Sequence, residues 1–511
     1  MKSSLGKLKK WDTLDLKMII ADLILIFFSW GGYYRSLFGN GDALYDTINT
    51  AASKSSRLSC YRWMGWVVDM FAWKKLGFLA SEHPTFSLAL FLLFLTASLF
   101  IIQKMFRPLF ETRLTTHLEQ ACFIAATALI FINGLLAELF YFTESYSIFK
   151  FSLLFCAIGC LLFSRKHYVW GMISFLVMTA FYQISCALAA ILLSGWLYLK
   201  YEGKLSRSLF VQEFLYICAP MSCGALNYVT GVWFLRFLKS RGIDLNIEKK
   251  VVSRSVVDGV LNYFREFRQL LKSNLELMPA VWLPLLVLLI SFFSMAIYFV
   301  LKKKWNEFGT LLLLIAVQQV TFGAIPVANG VIAPRIMYPF YGLEAGMLLG
   351  AMYILSENEH RERIVEALLN FVRLTAVLFL VVHIFFIQII ISNRMISNTL
   401  DLQCAEGVLN VIRTYEAETG QTVKYLAAEP DTESPMYYKE VYYKRDAIND
   451  RNYRVVNYSL IEYVASPERH FEKTEMDPRI FKEHFEGKNW DAFDAHEQIV
   501  IEGDTAYICI F

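Results

Sequence analysis

The 511 residues contain no GxxxxGK[ST] run, so no loop is built to cradle nucleotide phosphates. ATP is therefore not expected to drive the protein. Charge is scarce: 19% of residues are Asp, Glu, Lys or Arg, against about a quarter in a typical soluble protein. The net charge of +3 is too small to call for a nucleic-acid partner. The nine cysteines include no pair of CxxC motifs, which argues against a zinc site. A small-residue cleavage site is also missing. The basic start MKSSLGKLKKWDTLDLK leads into an apolar stretch that runs on through Trp30-Gly31-Gly32-Tyr33-Tyr34. That pattern reads as a retained first span and not as a cleaved signal peptide.

Apolar residues, in contrast, make up 56% of the chain and aromatics 16%. They gather in runs of roughly 15 to 22, most of them long enough to cross hydrocarbon as helices. The runs lie at 17–35, 86–106, 120–140, 147–164, 168–182, 184–200, 209–230, 281–301, 307–326, 337–356 and 372–392. The stretch 168–200 is split at Tyr182-Gln183, where a polar residue interrupts it. Lys and Arg in short connections mark the cytoplasmic side. Lys7, Lys9 and Lys10 place the N-terminus inside. Lys104, Arg107, Arg113, Arg165, Lys166, Lys200, Lys204, Arg207, Lys302 to Lys304, Arg361 and Arg363 agree with the split. The expected fold is mainly α: a polytopic helical membrane protein of about eleven spans over 1–392. A small extramembrane α/β domain over 393–511 lies on the outer face.

This arrangement collects long connections outside, where loops carry function. The first holds Asp42 and Asp46, spaced to share one side of a helical turn, and then Tyr61-Arg62-Trp63. The same two aspartates also suit helix capping. From Arg62 to Phe78, Trp63, Trp66, Val67, Met70, Phe71 and Trp73 recur at near-helical spacing. Anchoring at the membrane interface is the expected role for most of them. A second basic-aromatic loop spans 231–280. In the terminal part, 404–419 reads as an amphipathic helix, and Val423 to Ala428, Gln498 to Ile501 and Ala506 to Phe511 as strands.

Ionisable residues within or beside apolar spans are costly and rarely idle. Here they are Asp22, Glu138, Glu144, Lys150, Arg335, Glu344 and His383. Asp22 reads as a boundary residue and His383 as a satisfied core histidine. Glu138, Glu144, Lys150 and Arg335 fall at the outer ends of their helices, in one layer with Asp42 and Arg62. A carboxylate can deprotonate an attacking hydroxyl. Arginine can hold a departing phosphate bidentately. Such a layer suits glycosyl transfer from a sugar carried on a lipid phosphate.

Four places give the chain a family likeness. They are Asn40-Gly41-Asp42 followed by Arg62-Trp63; Glu144-Ser145-Tyr146-Ser147-Ile148-Phe149-Lys150; Phe181-Tyr182-Gln183; and Ala333-Pro334-Arg335. Together they resemble the Gtr-type (glucosyltransferase II) family of bacterial O-antigen glucosyltransferases, membrane enzymes of GT-C-like architecture. Tyr61 stands where that family commonly has glycine, and the Glu144 segment lacks an aspartate often found there. The resemblance implies an inverting enzyme of the bacterial inner membrane. Its donor would be undecaprenyl-phosphate glucose and its acceptor a lipid-linked O-antigen or similar glycan on the periplasmic face. Asp42 is then the expected general base, with Asp46 its rival. Arg62, Trp63, Glu144, Lys150, Tyr182, Gln183 and Arg335 are the expected substrate contacts. A divalent cation on Asp42 and Asp46 stays open, as does a disulfide between Cys404 and Cys509. A flippase of lipid-linked sugars, a polysaccharide polymerase or ligase, and a structural scaffold remain competing readings.

Overall fold

The computed structural model describes residues 12–35, 62–76, 83–142, 145–204, 206–242, 256–329, 332–357, 362–445, 448–465 and 469–511. It is mainly helical, at 74% helix, with a small sheet near the C-terminus. In chain order the helices are α1 Thr13–Trp30, α2 Trp63–Val67, α3 Pro84–Phe106, α4 His117–Ala128, α5 Ala137–Tyr141, α6 Tyr146–Ser164, α7 Tyr168–Phe181 and α8 Ser185–Lys200. They continue with α9 Arg207–Ser240, α10 Val256–Ser273, α11 Leu283–Leu301, α12 Trp305–Asn329, α13 Pro334–Met337, α14 Phe340–Leu355, α15 Arg363–Thr419 and α16 Asn452–Ala465. Among the described residues, six helices are long and apolar enough to cross a membrane: Pro84–Phe110, Tyr146–Ser164, Ser208–Ser240, Leu283–Leu301, Trp305–Val327 and Arg363–Thr419. Each of the eleven apolar runs carries a helix, but α4, α7, α8 and α14, of 12 to 16 residues, are shorter than a full crossing.

Local chemistry sets the helix ends. Thr116 and Glu119 form a reciprocal capping box at the start of α4, with bonds of 3.2 and 2.9 Å. Ser206 caps α9 by accepting the Leu209 N–H at 3.0 Å. Gly420, at φ 70°, closes α15 in the left-handed conformation that a side chain would strain.

The run 120–140 is not one helix. It breaks after Ala128, and all of 129–140 is buried. Asn133 fills the break: its Nδ2 donates to the Leu129 and Ile130 carbonyls at 3.0 and 3.2 Å, and its Oδ1 accepts from Leu136 N–H. Trp30 Nε1 donates to the freed Phe131 carbonyl at 2.9 Å. Irregular backbone at membrane depth survives only when protein satisfies it in this way. Gly134 is required here, because a Cβ would stand 2.8 Å from the Asn274 amide nitrogen.

Further readings change. His383 is a fully buried core residue, but neither ring nitrogen has a hydrogen-bond partner among the described residues, so it is not a satisfied histidine. Asp22 is not a boundary residue; it is fully buried and accepts a bond from Gln103 at 2.9 Å. Trp63 and Trp66 are not interfacial anchors either. They pack on Phe234, Leu235 and Leu238 of α9, which runs on well past residue 230. Phe71 and Leu76 are the strongly exposed large apolar side chains of that stretch among the described residues.

No chain break separates the spans from the terminal part: α15 passes 393 without interruption. Its C-terminal turns pack into a second core with Tyr453, Leu460 and a four-stranded sheet. The strands are β1 Tyr425–Pro430, β2 Glu472–Lys473, β3 Ile499–Glu502 and β4 Thr505–Ile510, in the order β2-β1-β4-β3. β4 lies parallel to β1 and antiparallel to β3. Cys404 and Cys509 are both buried free thiols in different clusters, so the disulfide does not form.

Candidate functional site

The broken helix places Glu138. Its carboxylate is buried at one end of the bundle, where it meets the first turn of α13. There it accepts the Arg335 backbone N–H at 2.7 Å and also the Arg335 guanidinium. Pro334 starts α13 with the fixed φ that a first helical turn needs. The Arg335 guanidinium lies 4.8 Å from the Phe142 ring centre, and its side chain stays 28% exposed. A buried carboxylate thus holds a guanidinium at the rim of the bundle.

Tyr182 joins the same layer. It ends α7, where its extended backbone turns the chain towards α8. Its hydroxyl donates to the Arg335 carbonyl at 3.3 Å. Its ring carries the Arg62 guanidinium 4.9 Å from the centre, a cation–π distance. Arg62 Nε is buried without a hydrogen-bond partner among the described residues. The next residue, Trp63, donates its indole N–H to Asn227 of α9 at 3.0 Å. Ser152, Ser185 and Tyr338 support this floor through bonds of 2.8 and 3.1 Å. Arg62, Tyr182 and Arg335, far apart in sequence, therefore come together, with Trp63 following Arg62 and packing on α9, and Gln183 half-buried beside Tyr182.

Lys150 is buried on α6, and its ammonium lies 6.0 and 5.6 Å from the Phe94 and Phe151 rings. Asp42, Asp46 and Glu144 lie outside the described residues. Among the described residues no cluster of His, Cys, Asp and Glu is arranged to hold a metal ion.

The terminal domain, expected on the same face, reaches this layer through contacts that the sequence did not specify. Arg445 donates to Glu266 of α10 at 3.3 Å and to the Ile332 carbonyl at 3.4 Å, three residues before Arg335. Asp450 accepts from Tyr141 at 2.7 Å, and its carbonyl accepts from Arg394 at 2.9 Å. The Arg394 guanidinium lies 4.5 Å from the Tyr141 ring centre. Glu138 carried a signal, as an acid in an apolar run. Glu266 and Arg445 carried none, because their partners are 179 residues apart.

Other ion pairs lie where the helix directions place the opposite end of the bundle. Lys104 and Arg107 bind Asp15 there, Lys304 binds Glu357 at 2.6 Å, and Arg373 binds Glu119 at 2.8 Å. No family model, curated protein or solved structure matches the chain.

Proposed function

We propose that the protein is a membrane glycosyltransferase that moves a sugar, glucose by the family resemblance, from a polyprenyl-phosphate donor to a lipid-linked glycan. The observation that carries this reading is the layer Arg62–Tyr182–Arg335. At the rim of an apolar bundle the Arg62 guanidinium lies over the Tyr182 ring, the Tyr182 hydroxyl holds the Arg335 backbone carbonyl, and buried Glu138 holds the Arg335 guanidinium. Guanidinium forks match the oxygens of a phosphate, and the apolar helices beside them suit a hydrocarbon tail. A lipid phosphate is also a good leaving group, so one base and a cationic clamp suffice. No paired acids of the glycosidase kind are then required. Asp42 is the proposed base, and eleven crossings with the outer layer in the periplasm complete the reading.

The test is transfer in membranes supplied with polyprenyl-phosphate glucose and a glycan acceptor, with and without the protein. Glycan that gains a sugar only when the protein is present supports the proposal. Unchanged glycan combined with protein-dependent movement of the lipid-linked sugar across vesicles would replace it with the flippase reading.

A further inference from the structure

α10 carries three faces of different chemistry. Tyr263 and Leu270 are buried against the bundle, and Phe267 meets the Phe322 and Phe340 rings at 6.1 and 6.0 Å. Val260, Leu261 and Phe264 form a second face and are exposed. Arg268 follows Phe264 one turn on, Lys272 follows Arg268, and Arg265 borders the same strip. Among the described residues none of these three cations pairs with a carboxylate. Glu266 points elsewhere, about 160° round the helix from Phe264. There Arg445 of the sheet domain donates to it at 3.3 Å.

Two spans fix the depth of this helix. α11 and α12 are joined by Lys302 to Lys304 alone, so Leu283 and Val327 lie at one end of the bundle. Trp282, just before the α11 span, donates its N–H to the Lys272 carbonyl at 2.9 Å. Gly259 abuts the Val327 carbonyl, which ends the α12 span. Both ends of α10 therefore stand level with the ends of spans, and the helix lies along the membrane boundary. Trp282 is itself exposed there, at the depth where aromatic rings collect. The Glu266 side faces the sheet domain, so the opposite apolar strip faces lipid. The cations stand on the border between the two.

Basic side chains at that border attract anionic headgroups. From Arg265 to Lys272 the helix rises about 10 Å, so the cations meet a row of headgroups and not one phosphate. The other acid of α10, Asp258, lies about two turns before Arg265 and leaves the row unopposed. We infer that α10 binds the anionic phospholipids of its own leaflet, with Val260, Leu261 and Phe264 in the acyl boundary and Arg265, Arg268 and Lys272 on the phosphates. This binding is independent of the transferase reading.

The test uses the full chain in nanodiscs of phosphatidylcholine and phosphatidylglycerol in equal amounts. One of the two lipids carries a diazirine near its glycerol, and crosslinks are mapped by peptide. Phosphatidylglycerol should label α10 at least about fivefold above phosphatidylcholine, the worth of one basic residue at an anionic surface. Added salt should erode that preference. The triple variant Arg265→Gln, Arg268→Gln, Lys272→Gln should bring the two lipids close to parity. A second measurement needs no such variant. A nitroxide on an unnatural amino acid at Leu261 should be open to oxygen and shielded from a water-soluble nickel chelate, and one at Asp258 should show the reverse. Equal labelling by the two lipids, a preference that the triple variant keeps, or a nickel-exposed label at Leu261 would overturn the proposal. Loss of labelling on adding stoichiometric polyprenyl phosphate would also overturn it, in favour of a single lipid ligand. Crosslinks from α10 to α10 in place of lipid would overturn it in favour of a second copy.

Discussion

Arg335 is the side chain whose replacement separates charge from geometry. Its guanidinium pairs with buried Glu138 and lies 4.8 Å from the Phe142 ring centre, and its side chain stays 28% exposed. Lysine keeps the charge but offers a point instead of a fork. Arg335→Lys is therefore expected to insert normally and to use donor poorly, with the loss in KM for polyprenyl-phosphate glucose. Full activity in both Arg335→Lys and Arg335→Ala would detach the residue from phosphate binding. Asp42 is tested separately. A general base contributes about 10²–10⁴ in rate, so Asp42→Asn should bind donor and transfer sugar at that reduced rate. Asp46→Asn should be milder. Near-normal transfer by Asp42→Asn, read in single-turnover assays, would pass the role to Asp46 or Glu144.

Short helices decide where these side chains sit. α2 carries Arg62 and Trp63 into the site because Gly65 lets it press on α6. A Cβ at Gly65 would lie 2.7 Å from Ile148 Cγ1, and Ile148 is fully buried. Gly65→Ala should therefore cost about 1–3 kcal/mol of local packing and move Arg62 off the Tyr182 ring. Gly65→Ala combined with Ile148→Ala, which removes the clashing carbon, should restore activity. Failure of the double variant to recover would place the defect elsewhere. The break between α4 and α5 acts in the same way, since it turns Glu138 towards α13. Its signal was present as Asn133-Gly134, a turn dipeptide inside an apolar run. Apolar periodicity outvoted that signal, and a single helix over 120–140 was expected. The split at Tyr182-Gln183 was legible because a polar residue interrupts the run, and α7 does end at Phe181.

At the scale of the whole chain, the Asp42 loop and the terminal domain should share one face. Impermeant thiol labelling of Lys54→Cys and Glu440→Cys in spheroplasts should then mark both. Labelling of only one would overturn the eleven-span reading. The opposite end of the bundle carries a pH dependence. A hydrogen bond from Arg107 holds the Asp12 carboxyl down at about 2, against an ordinary value of 3.8. A depressed folded pKa contributes stability above the unfolded value and loses it as pH falls through the folded one. Thermal stability in detergent should therefore drop between about pH 4 and pH 2, and Asp12→Asn should flatten that part of the profile. An identical profile in the variant would show that the Asp12–Arg107 pair contributes nothing to folding.

Composition and the lengths of the apolar runs determined the helical, membrane-embedded class, because a bilayer accepts only backbone that satisfies itself within a helix or closed barrel. Polar residues within or beside those runs also marked Glu138, Tyr182 and Arg335, because polar groups in hydrocarbon are too costly to be idle. Tertiary structure alone decided which of them meet. Arg335 and Glu138 lie 197 residues apart, yet the break between α4 and α5 brings them into one ion pair. Periodicity gives the position of a residue along a helix but not the direction that face takes once neighbours pack on it. For the same reason Trp63 and Trp66, which look like membrane anchors in sequence, cover α9 instead. The bond between Arg445 and Glu266 depends on how the sheet domain at the end of α15 folds back over α10, a long-range closure that no local pattern encodes.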